Sequence, residues 1–381
     1  MYVALQVVFW SCLALGLYPY AGYPLVVALL ARLRPRPVAR SPITPTVTVV
    51  ISAYNEARHI EATVANKLAQ DYPADRLDVM VVSDGSTDGT DDLLRAMAAR
   101  EPRLTWFRQE PRRGKTAALN SLVERARGEI IVFSDANSMY RPDTVRQLVS
   151  VFADPEVGYV SGRMIYVSPD GSVVGDGCSA YMRYENWLRA RETLVGSIVG
   201  VDGGVDAVRR QLYRPMGDDQ LPDFVLPLDV VDQGYRVVFE PTAELCEDAL
   251  GQASAEFRMR VRVALRALWA LRSRAHLLNP FRRPLFAWQL WSHKLLRYLS
   301  FAPLGAACVI NLLLAGQARL YSALLAAQGL FWIAAWGGSR GSRFAPARLA
   351  YYFVLVNAAS AVAFVRFMRG EKQVLWQPRL G

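Results

Sequence analysis

Acidic residues are almost absent from both ends of this 381-residue chain. The first acid is Glu56, and neither Asp nor Glu occurs between Phe257 and Gly370, so that Glu371 is the single acid after Glu256. The formal net charge is +10, the ends are apolar or basic, and all acids except Glu371 lie in the middle. Parts of a chain that differ so much in charge are expected to face different surroundings. The distribution argues against a protein that is equally solvated along its whole length.

Cysteine and histidine are scarce as well. No CxxC pair and no Cys/His spacing typical of a zinc site occurs in the chain. We interpret the thiols as inert residues of a protein in a reducing cytoplasm, and we assign no ligand role to the histidines. The residues concerned are Cys12, Cys178, Cys246, Cys308, His59, His276 and His293.

Long apolar runs lie at both ends. Residues 2–31 carry no charge, and about 20 apolar residues are enough to cross a bilayer. The run has no basic segment before it and no small-residue cleavage site, so it indicates a membrane anchor rather than a removable signal peptide. Arg32 and three further arginines follow by residue 40, which places the next domain in the cytoplasm by the positive-inside rule. Further apolar stretches at about 299–315, 320–336 and 349–365 predict a multi-pass protein of the inner (plasma) membrane.

The number of C-terminal crossings stays open. The loop 337–348 and the tail after residue 365 are both basic, and they cannot both be cytoplasmic if residues 349–365 span the membrane. A re-entrant C-terminal segment is the alternative to three full crossings.

The middle of the chain alternates between strand and helix patterns. Two of the strands end directly before acids, Asp84 and Asp135. The alternation predicts an α/β fold, a doubly wound and mostly parallel sheet flanked by helices. Ligands of such sheets bind beyond the carboxyl ends of the strands, so we expect the two acids to lie in a binding site. The predicted strands are Thr46–Ala53, Asp78–Ser83, Leu104–Gln109 and Glu129–Ser134.

Single motifs in this region allow simpler interpretations. Asp84 and Asp135 could each cap a turn or a helix, which are common uses of Asp. Gly114-Lys115-Thr116 is not a phosphate loop of the P-loop type, because Gln109 stands where that motif needs a glycine. Lys115 opens a predicted helix whose N-terminus favours anions, so it could contact a diphosphate or could be a solvated lysine.

Taken together and in order, the motifs resemble the membrane-bound, inverting family-2 glycosyltransferases with a GT-A fold. Each motif alone is weak, but their order and spacing are specific. The resemblance extends over residues 46–300 and the flanking apolar segments. The motifs are Ser52-Ala53-Tyr54-Asn55-Glu56, Asp84-Gly85-Ser86-Thr87-Asp88-Gly89, Gly114-Lys115 with Asn120, Ser134-Asp135-Ala136-Asn137-Ser138, Gly203-Gly204 before Arg209-Arg210, Asp223-Phe224-Val225-Leu226-Pro227-Leu228 with Gly234-Tyr235, and Ser292-His293-Lys294 with Arg297.

The resemblance implies a donor site for a nucleotide-sugar, expected to be a UDP-sugar. Tyr54, Glu56 and Asp84 match residues that contact the nucleotide. Asp135 and Asn137 stand in the place of the family's D-x-D motif, which holds Mg²⁺ or Mn²⁺ on the diphosphate. A hard cation there neutralises the charge that develops on the leaving diphosphate. Asn137 departs from the motif because its amide oxygen can ligate a metal but brings no charge.

Further residues take roles by the same resemblance. Asp223 matches the catalytic base, which must lie apart from the diphosphate to accept the proton of an acceptor hydroxyl. We expect Lys115, Arg258 and Arg262 to face the diphosphate. One displacement would invert the anomeric centre. The region 256–271 has no Q-x-x-R-W motif, which marks processive synthases of the cellulose type, so processivity stays open.

The predicted organisation has four parts. Residues 1–45 form a transmembrane helix with a basic linker, and residues 46–255 form a cytoplasmic GT-A domain. Residues 256–297 form basic amphipathic helices on the membrane surface, because ten Arg or Lys and no acid lie between Phe257 and Ser300. Residues 298–381 form the C-terminal transmembrane region and tail. We expect no nucleic-acid partner, since the basic stretch continues straight into an apolar segment.

The favoured function is transfer of a sugar from a nucleotide-sugar to a polysaccharide or lipid-linked acceptor at the membrane. Two alternatives stay open: a single-addition transferase that uses a lipid phosphate, and a non-catalytic membrane protein that only binds nucleotide-sugar. The presence of Asp223 as well as Asp135 favours an enzyme, because a binding protein needs no base.

Overall fold

The computed structural model describes residues 2–167, 177–248, 253–342 and 344–373. The described residues belong to two compact units. The sheet unit contains those within 33–173 and 189–249, and the helical unit contains those within 1–32, 174–188 and 250–372. The predicted tail beyond residue 373 lies outside the described residues.

The described strands form one eight-stranded sheet in the order β3-β2-β1-β4-β7-β6-β8-β5. Four of its neighbouring pairs are parallel and three are antiparallel. The expected α/β fold with a mostly parallel sheet is therefore confirmed. The strands are β1 (Val47–Ala53), β2 (Leu77–Ser83), β3 (Leu104–Arg108), β4 (Ile130–Asp135), β5 (Met139–Tyr140), β6 (Val157–Val167), β7 (Asp206–Arg209) and β8 (Arg236–Asp248).

Helices precede, follow and connect these strands. The α-helices are α1 (Tyr2–Leu17), α2 (Gly22–Leu33), α3 (Ile60–Leu68), α4 (Thr90–Ala98), α5 (Lys115–Arg125), α6 (Thr144–Ser150), α7 (Gly177–Val195), α8 (Pro222–Asp232), α9 (Ala253–Ser273), α10 (Pro284–Leu290), α11 (Leu296–Leu299), α12 (Phe301–Leu314), α13 (Arg319–Ser339) and α14 (Ala345–Met368). Short 3-10 turns occupy Ala74–Arg76, Val151–Ala153, Arg210–Leu212 and Ala275–Leu278, and a π-helical turn occupies Trp291–Leu295.

The register of β1 positions the candidate site. This strand is a run of apolar and β-branched residues that is buried almost throughout, as expected for a central parallel strand. It pairs in parallel with β2, so that Ala53 lies opposite Ser83. On its other side it pairs in parallel with β4, so that Ser52 lies opposite Asp135. The three strand ends therefore open at the same edge of the sheet.

The four predicted strands are all found, each within one residue of the predicted bounds at either end. The strands β5, β6, β7 and β8 were not predicted. They complete the sheet through antiparallel pairing of β7 with both β4 and β6.

The helical unit contains two helices, α13 and α14, that are long and apolar enough to cross a membrane. The predicted N-terminal crossing is not one straight helix, because α1 and α2 meet at an angle of 55°. Likewise, the segment predicted at 299–315 reaches spanning length only when α12 is joined to Pro284–Leu299, at an angle of 54°. Counting each bent pair as one span gives up to four crossings.

Buried polar contacts hold the helical unit together. The carboxylate of Glu185 on α7 accepts a hydrogen bond from Arg297 Nη1 at 2.5 Å and lies 3.2 Å from His293 Nε2. All three residues are buried. The Ser292-His293-Lys294 motif therefore has a packing role: it anchors α7 to the helix that follows Pro284.

Candidate active site

The loops after β1 and β2 interlock through hydrogen bonds. The backbone N–H of Asn55 donates to Ser86 Oγ at 3.1 Å, and Asn55 Oδ1 accepts from the N–H of Thr87 at 2.8 Å. The N–H of Glu56 donates to Thr90 Oγ1 at 3.0 Å. Asn55 has a φ of +54°, a left-handed conformation that Asn tolerates better than most residues. The two sequence motifs therefore form one structural feature.

Asp84 holds the loop that leads to α5. Its carboxylate is buried and accepts hydrogen bonds from Gln109 Nε2 at 2.7 Å, from the N–H of Arg113 at 2.9 Å and from the N–H of Gly114 at 2.8 Å. Charge-assisted bonds of this kind are among the stronger ones in proteins. Asp84 thus fixes the start of α5 and with it the position of Lys115. Its predicted contact with a nucleotide stays a prediction.

Tyr54 stacks against a residue that sequence analysis missed. The guanidinium carbon of Arg112 lies 3.5 Å from the centroid of the Tyr54 ring, and Arg112 Nε lies 3.6 Å from Asp84 Oδ2. This cation–π contact joins the first motif to the loop held by Asp84. Its only sequence signal is the Arg112-Arg113 pair ahead of Gly114-Lys115.

Lys115 and Asp135 form an ion pair at the carboxyl edge of the sheet. Lys115 Nζ donates to Asp135 Oδ1 at 2.6 Å. Burial opposes the charge of the ammonium group, but the carboxylates of Asp135, Asp223 and Asp206 outweigh burial and raise the pKa of Lys115 above its ordinary value. Lys115, the first residue of α5, is therefore a permanent cation beside Asp135.

The backbone of Gly203 and Gly204 closely approaches Asp223, the predicted base, and Asp135, a predicted metal ligand. A Cβ on Gly203 would lie 2.4 Å from Asp223 Oδ2, and one on Gly204 would lie 3.1 Å from Asp135 Oδ2. Gly204 also has a φ of +90°. Only glycines fit here, because a side chain would occupy the space of a carboxylate and strain the backbone.

An ion pair directly before this glycine segment holds it in place. Asp202, directly before the glycines, accepts a hydrogen bond from Arg189 Nη2 at 2.7 Å, and both side chains are largely buried. On the other side, Tyr140 Oη lies 2.8 Å from the carbonyl oxygen of Gly204, to which it donates. The glycines are therefore fixed at both ends.

Asp206 is a third acid in the cleft, and sequence analysis missed it. It is buried on β7 and accepts a hydrogen bond from Ser161 Oγ at 3.2 Å. Burial, followed by the carboxylates of Asp223 and Asp202, raises the pKa of Asp206 well above its ordinary value. This acid therefore retains its proton more readily than an ordinary Asp. The sequence feature that could have identified Asp206 is its position as a single acid in the apolar run after Gly203-Gly204.

A small cleft brings these groups together. Asp223 reaches it from the first turn of α8, where a negative charge interacts favourably with the helix dipole. The lining residues are Lys115, Leu119, Phe133, Ser134, Asp135, Tyr159, Gly204, Asp206, Pro222, Asp223 and Leu226. Lys115, Asp135 and Asp223 were predicted from the sequence, and the structure places all three in one cleft.

The turn after β4 is held by a buried lysine. Lys67 Nζ donates to the carbonyl oxygen of Ser138 at 2.6 Å and to Asn66 Oδ1 at 3.0 Å, and it lies 3.8 Å from the centroid of the Tyr140 ring. Burial lowers the pKa of Lys67 to about 7, against the opposing influence of Asp135. Lys67 was not predicted from the sequence, and it fixes the turn that contains Asn137.

The donor set suits a cation that arrives with a diphosphate. Within the described residues, no three His, Cys, Asp or Glu side chains are grouped so as to enclose a metal ion. Asp135 supplies one carboxylate, and Asn137 lies two residues further in the same turn. Mg²⁺ is commonly bound by one or two carboxylates together with substrate phosphates and water. The residues present fit that mode of binding and not an all-protein cage.

Two predicted donor-site residues belong to the other unit. Arg258 is exposed on α9 and Arg262 is half-buried there, whereas the cleft lies in the sheet unit. Their contact with a diphosphate stays a prediction. Glu56 is half-buried in the interlocked loops, and its contact with a nucleotide likewise stays a prediction.

Comparison with known proteins relates this site to a family. Residues 48–204 match the model of glycosyl transferase family 2. Over 273 residues the chain is 28% identical to the beta-monoglucosyldiacylglycerol synthase of Nostoc sp., covering 69% of this chain and 58% of the relative. Over 203 residues it is 25% identical to the poly-beta-1,6-N-acetyl-D-glucosamine synthase of Staphylococcus aureus, covering 52% and 48%. The chain thus spans about half the length of these curated relatives.

One solved structure is similar over nearly the whole of both chains. It is the mannosyltransferase PcManGT from Pyrobaculum calidifontis, in complex with GDP-Man and Mn²⁺. The alignment covers 96% of this chain and 99% of that one, with 26% sequence identity and a TM-score of 0.75. The similarity therefore includes the helical unit as well as the sheet.

The buried Lys67 generates a prediction about stability and pH. The folded-state pKa of about 7 lies below the ordinary value of 10.5, so between these values unfolding takes up a proton. The free energy of unfolding of the wild type should therefore rise above pH 7, by up to about 1.4 kcal/mol per pH unit, relative to Lys67→Met. Thermal unfolding in detergent and chelator between about pH 7 and 9 measures the difference.

Lys372→Met serves as the control, because it removes an exposed lysine. Parallel pH profiles for the wild type and Lys67→Met would show that Lys67 carries its proton equally in both states, contrary to the prediction.

Proposed function

Residues 48–204 are a glycosyltransferase family 2 domain, and we propose that this chain transfers a sugar from a nucleotide-sugar to a lipid-linked or polysaccharide acceptor, with inversion at the anomeric carbon. One observation carries the proposal. The cleft holds a Lys115–Asp135 pair next to Gly204 and a separate carboxylate, Asp223, next to Gly203. Inverting transfer needs separate groups for the leaving diphosphate and for the proton of the attacking hydroxyl, because these lie on opposite faces of the sugar.

The Lys115 side of the cleft suits the donor diphosphate. The permanent ammonium group of Lys115 and the N-terminus of α5 both favour an anion. Asp135 and Asn137 would hold Mg²⁺ or Mn²⁺ against the diphosphate oxygens. Such a cation supplies neutralisation of the charge on the leaving group. Lys115 adds to the same effect from a fixed position, because Asp84 holds the start of its helix.

The Asp223 side of the cleft suits the acceptor. A carboxylate can accept the proton of an attacking hydroxyl. Gly203 allows that carboxylate to approach the backbone closely and so fixes its direction. Asp206 lies deeper, is expected to retain its proton, and is a poor candidate for the same role.

Two nucleotides, UDP and GDP, are candidates for the nucleotide of the donor. The sequence motifs favour a UDP-sugar, whereas the structurally similar mannosyltransferase was solved with GDP-Man. Tyr54, Glu56 and Asp84 lie together at the ends of β1 and β2, where either nucleotide base would be accommodated in this proposal. Release of UDP or GDP by purified protein in detergent, tested with a panel of UDP-sugars and with GDP-mannose, distinguishes the two.

A lipid or lipid-linked acceptor is favoured by the helical unit. The names of the relatives include a diacylglycerol glucoside synthase as well as a polysaccharide synthase. Helices α13 and α14 would keep the protein in the membrane, with the sheet unit at the cytoplasmic face of the inner membrane. Mass spectrometry of the product from supplied membrane lipids tests single addition against polymer formation. A protein that binds a donor without turnover would fit the binding-protein alternative.

Removal of the proposed base is the first catalytic test. Asp223→Asn keeps the size of the side chain and abolishes proton acceptance. We expect turnover to fall by about 100-fold or more, the usual contribution of acid–base catalysis, with donor affinity within a few-fold of wild type. Asp232→Asn, on the other end of α8, is the matched control and should retain full activity. Near wild-type turnover by Asp223→Asn would exclude Asp223 as the base.

Metal dependence is the second test. Activity should require Mg²⁺ or Mn²⁺ and disappear in EDTA. Asp135→Ala should lower turnover by at least about 100-fold, because stabilisation of a leaving group typically supplies several kcal/mol. Asp143→Ala, outside the cleft in the segment before α6, is the control. Full activity in EDTA would contradict the assignment of Asp135 and Asn137 to a metal.

The close approach of Gly203 to Asp223 provides a third test. In Gly203→Ala the new methyl group must displace the Asp223 carboxylate. We expect kcat to fall by about 100-fold, as small misplacements of a catalytic group can cause, with a smaller change in the KM for donor. Gly305→Ala, which meets no atom within 4 Å, controls for the substitution itself. A loss confined to donor KM would contradict a role in positioning the base.

A further inference from the structure

One aromatic side chain stands out on the surface of the helical unit. Phe281 is 94% exposed, more than any other large hydrophobic residue among those the structure describes. It lies in the loop between the 3-10 turn Ala275–Leu278 and α10. Single exposed apolar residues are common on proteins, so exposure alone does not indicate a function. The conformation and the charge of the surrounding loop provide that indication.

The loop presents Phe281 in a defined conformation. The N–H of Phe281 donates to Asn279 Oδ1 at 2.9 Å, and the N–H of Arg282 donates to the carbonyl oxygen of Asn279 at 3.2 Å. Trp291 Nε1 donates to the carbonyl oxygen of Leu278 at 3.0 Å and so joins the start of the loop to the following helix. Pro280 precedes Phe281 and restricts the backbone further. The ring is therefore held outward by a hydrogen-bonded turn.

The residues that flank Phe281 in the chain are basic. Arg282 is exposed, Arg283 is half-buried and Arg272 is exposed at the end of α9. No Asp or Glu occurs in the sequence between residues 257 and 370. An exposed ring flanked by arginines is complementary to a surface that is anionic outside and apolar beneath. The headgroup boundary of an anionic bilayer has this composition.

Helix α9 was the segment expected to lie on the membrane, but its apolar residues are already packed. Val261, Ala264 and Leu265 form a buried cluster with Ala359 and Ala363 of α14. Phe281, in the loop after α9, is the most exposed large apolar side chain among the described residues of the basic stretch, ahead of Trp291 and Leu285. This loop also leads directly into the bent helix pair that begins at Pro284 and reaches spanning length.

We propose that the Pro280-Phe281-Arg282 tip inserts the Phe281 ring into the headgroup–acyl boundary of an anionic bilayer, with Arg282 at the lipid phosphates. The tip sets the depth of the helix pair that follows it. The occupant is the lipid surface itself and not a protein partner. This inference does not depend on sugar transfer, so it stands or falls separately from the proposed reaction.

The test places a fluorescent probe at the tip of the full-length protein. Phe281→Cys is labelled with an environment-sensitive dye in a background in which Cys12, Cys178, Cys246 and Cys308 are replaced by Ser. The protein is reconstituted into nanodiscs of phosphatidylglycerol with phosphatidylcholine, or of phosphatidylcholine alone. Part of the lipid carries a nitroxide high on the acyl chain. Arg95→Cys, exposed on α4, is the matched control, and thermal unfolding verifies that both labelled proteins are folded.

We expect blue-shifted emission at position 281 and quenching by the acyl nitroxide, with neither effect at position 95. Quenching should be stronger in the anionic nanodiscs, and adding Arg282→Gln should remove that difference. Emission at 281 equal to that at 95 would overturn the proposal. A blue shift without lipid quenching would also overturn it, because the ring would then contact protein. Equal quenching in both lipids, unchanged by Arg282→Gln, would refute the role of Arg282 and anionic lipid.

Discussion

The close approach of the Gly203-Gly204 backbone to two carboxylates is the constraint on which the site depends. Without side chains at these positions, the Asp223 carboxylate can approach Gly203 and the Asp135 carboxylate can approach Gly204. A Cβ on Gly203 would displace Asp223, and a Cβ on Gly204 would crowd Asp135 and strain a backbone with a φ of +90°. The Arg189–Asp202 pair holds this backbone in place. The positions of both carboxylates thus depend on the main chain.

Part of this arrangement could be predicted from sequence because it depends on local pattern. Apolar runs that end in an acid identify β2 and β4, and parallel pairing with β1 then brings the acids to one edge. The start of α5 at Lys115 follows from the glycine before it. What could not be predicted depends on contacts between distant segments. The strand β7 is four residues long and has little pattern of its own, so its pairing with β4 and β6, and hence the position of Asp206, appear only in the structure.

In the helical unit, too, sequence patterns predicted the segments but not how they bend and pack. A charge-free run of 30 residues suggested one N-terminal crossing, but the chain bends by 55° near Pro19. Proline disfavours helical conformation in the residue before it and cannot donate a backbone hydrogen bond, so hydropathy alone overestimates the continuity of a helix there. Similarly, the charge pattern of α9 suggested a basic amphipathic helix on the membrane surface, and the structure shows that its apolar residues pack on α14. Composition identified the apolar segments, and packing determined which surfaces remain exposed.

In the proposed reaction, the electrostatics of the cleft would link donor binding to the binding of a cation. Asp135 Oδ1 accepts a hydrogen bond from Lys115 Nζ. Any cation held by Asp135 must therefore share this carboxylate with an ammonium group. That arrangement would be unfavourable alone, since it adds positive charge beside a lysine whose pKa is already raised. A diphosphate brings negative charge that both cations can contact, and it removes the conflict. Donor and metal should therefore bind more tightly together than either does alone, a coupling that is reciprocal by thermodynamic necessity. In that proposal, the Lys115–Asp135 pair would maintain charge balance in the cleft before the donor binds.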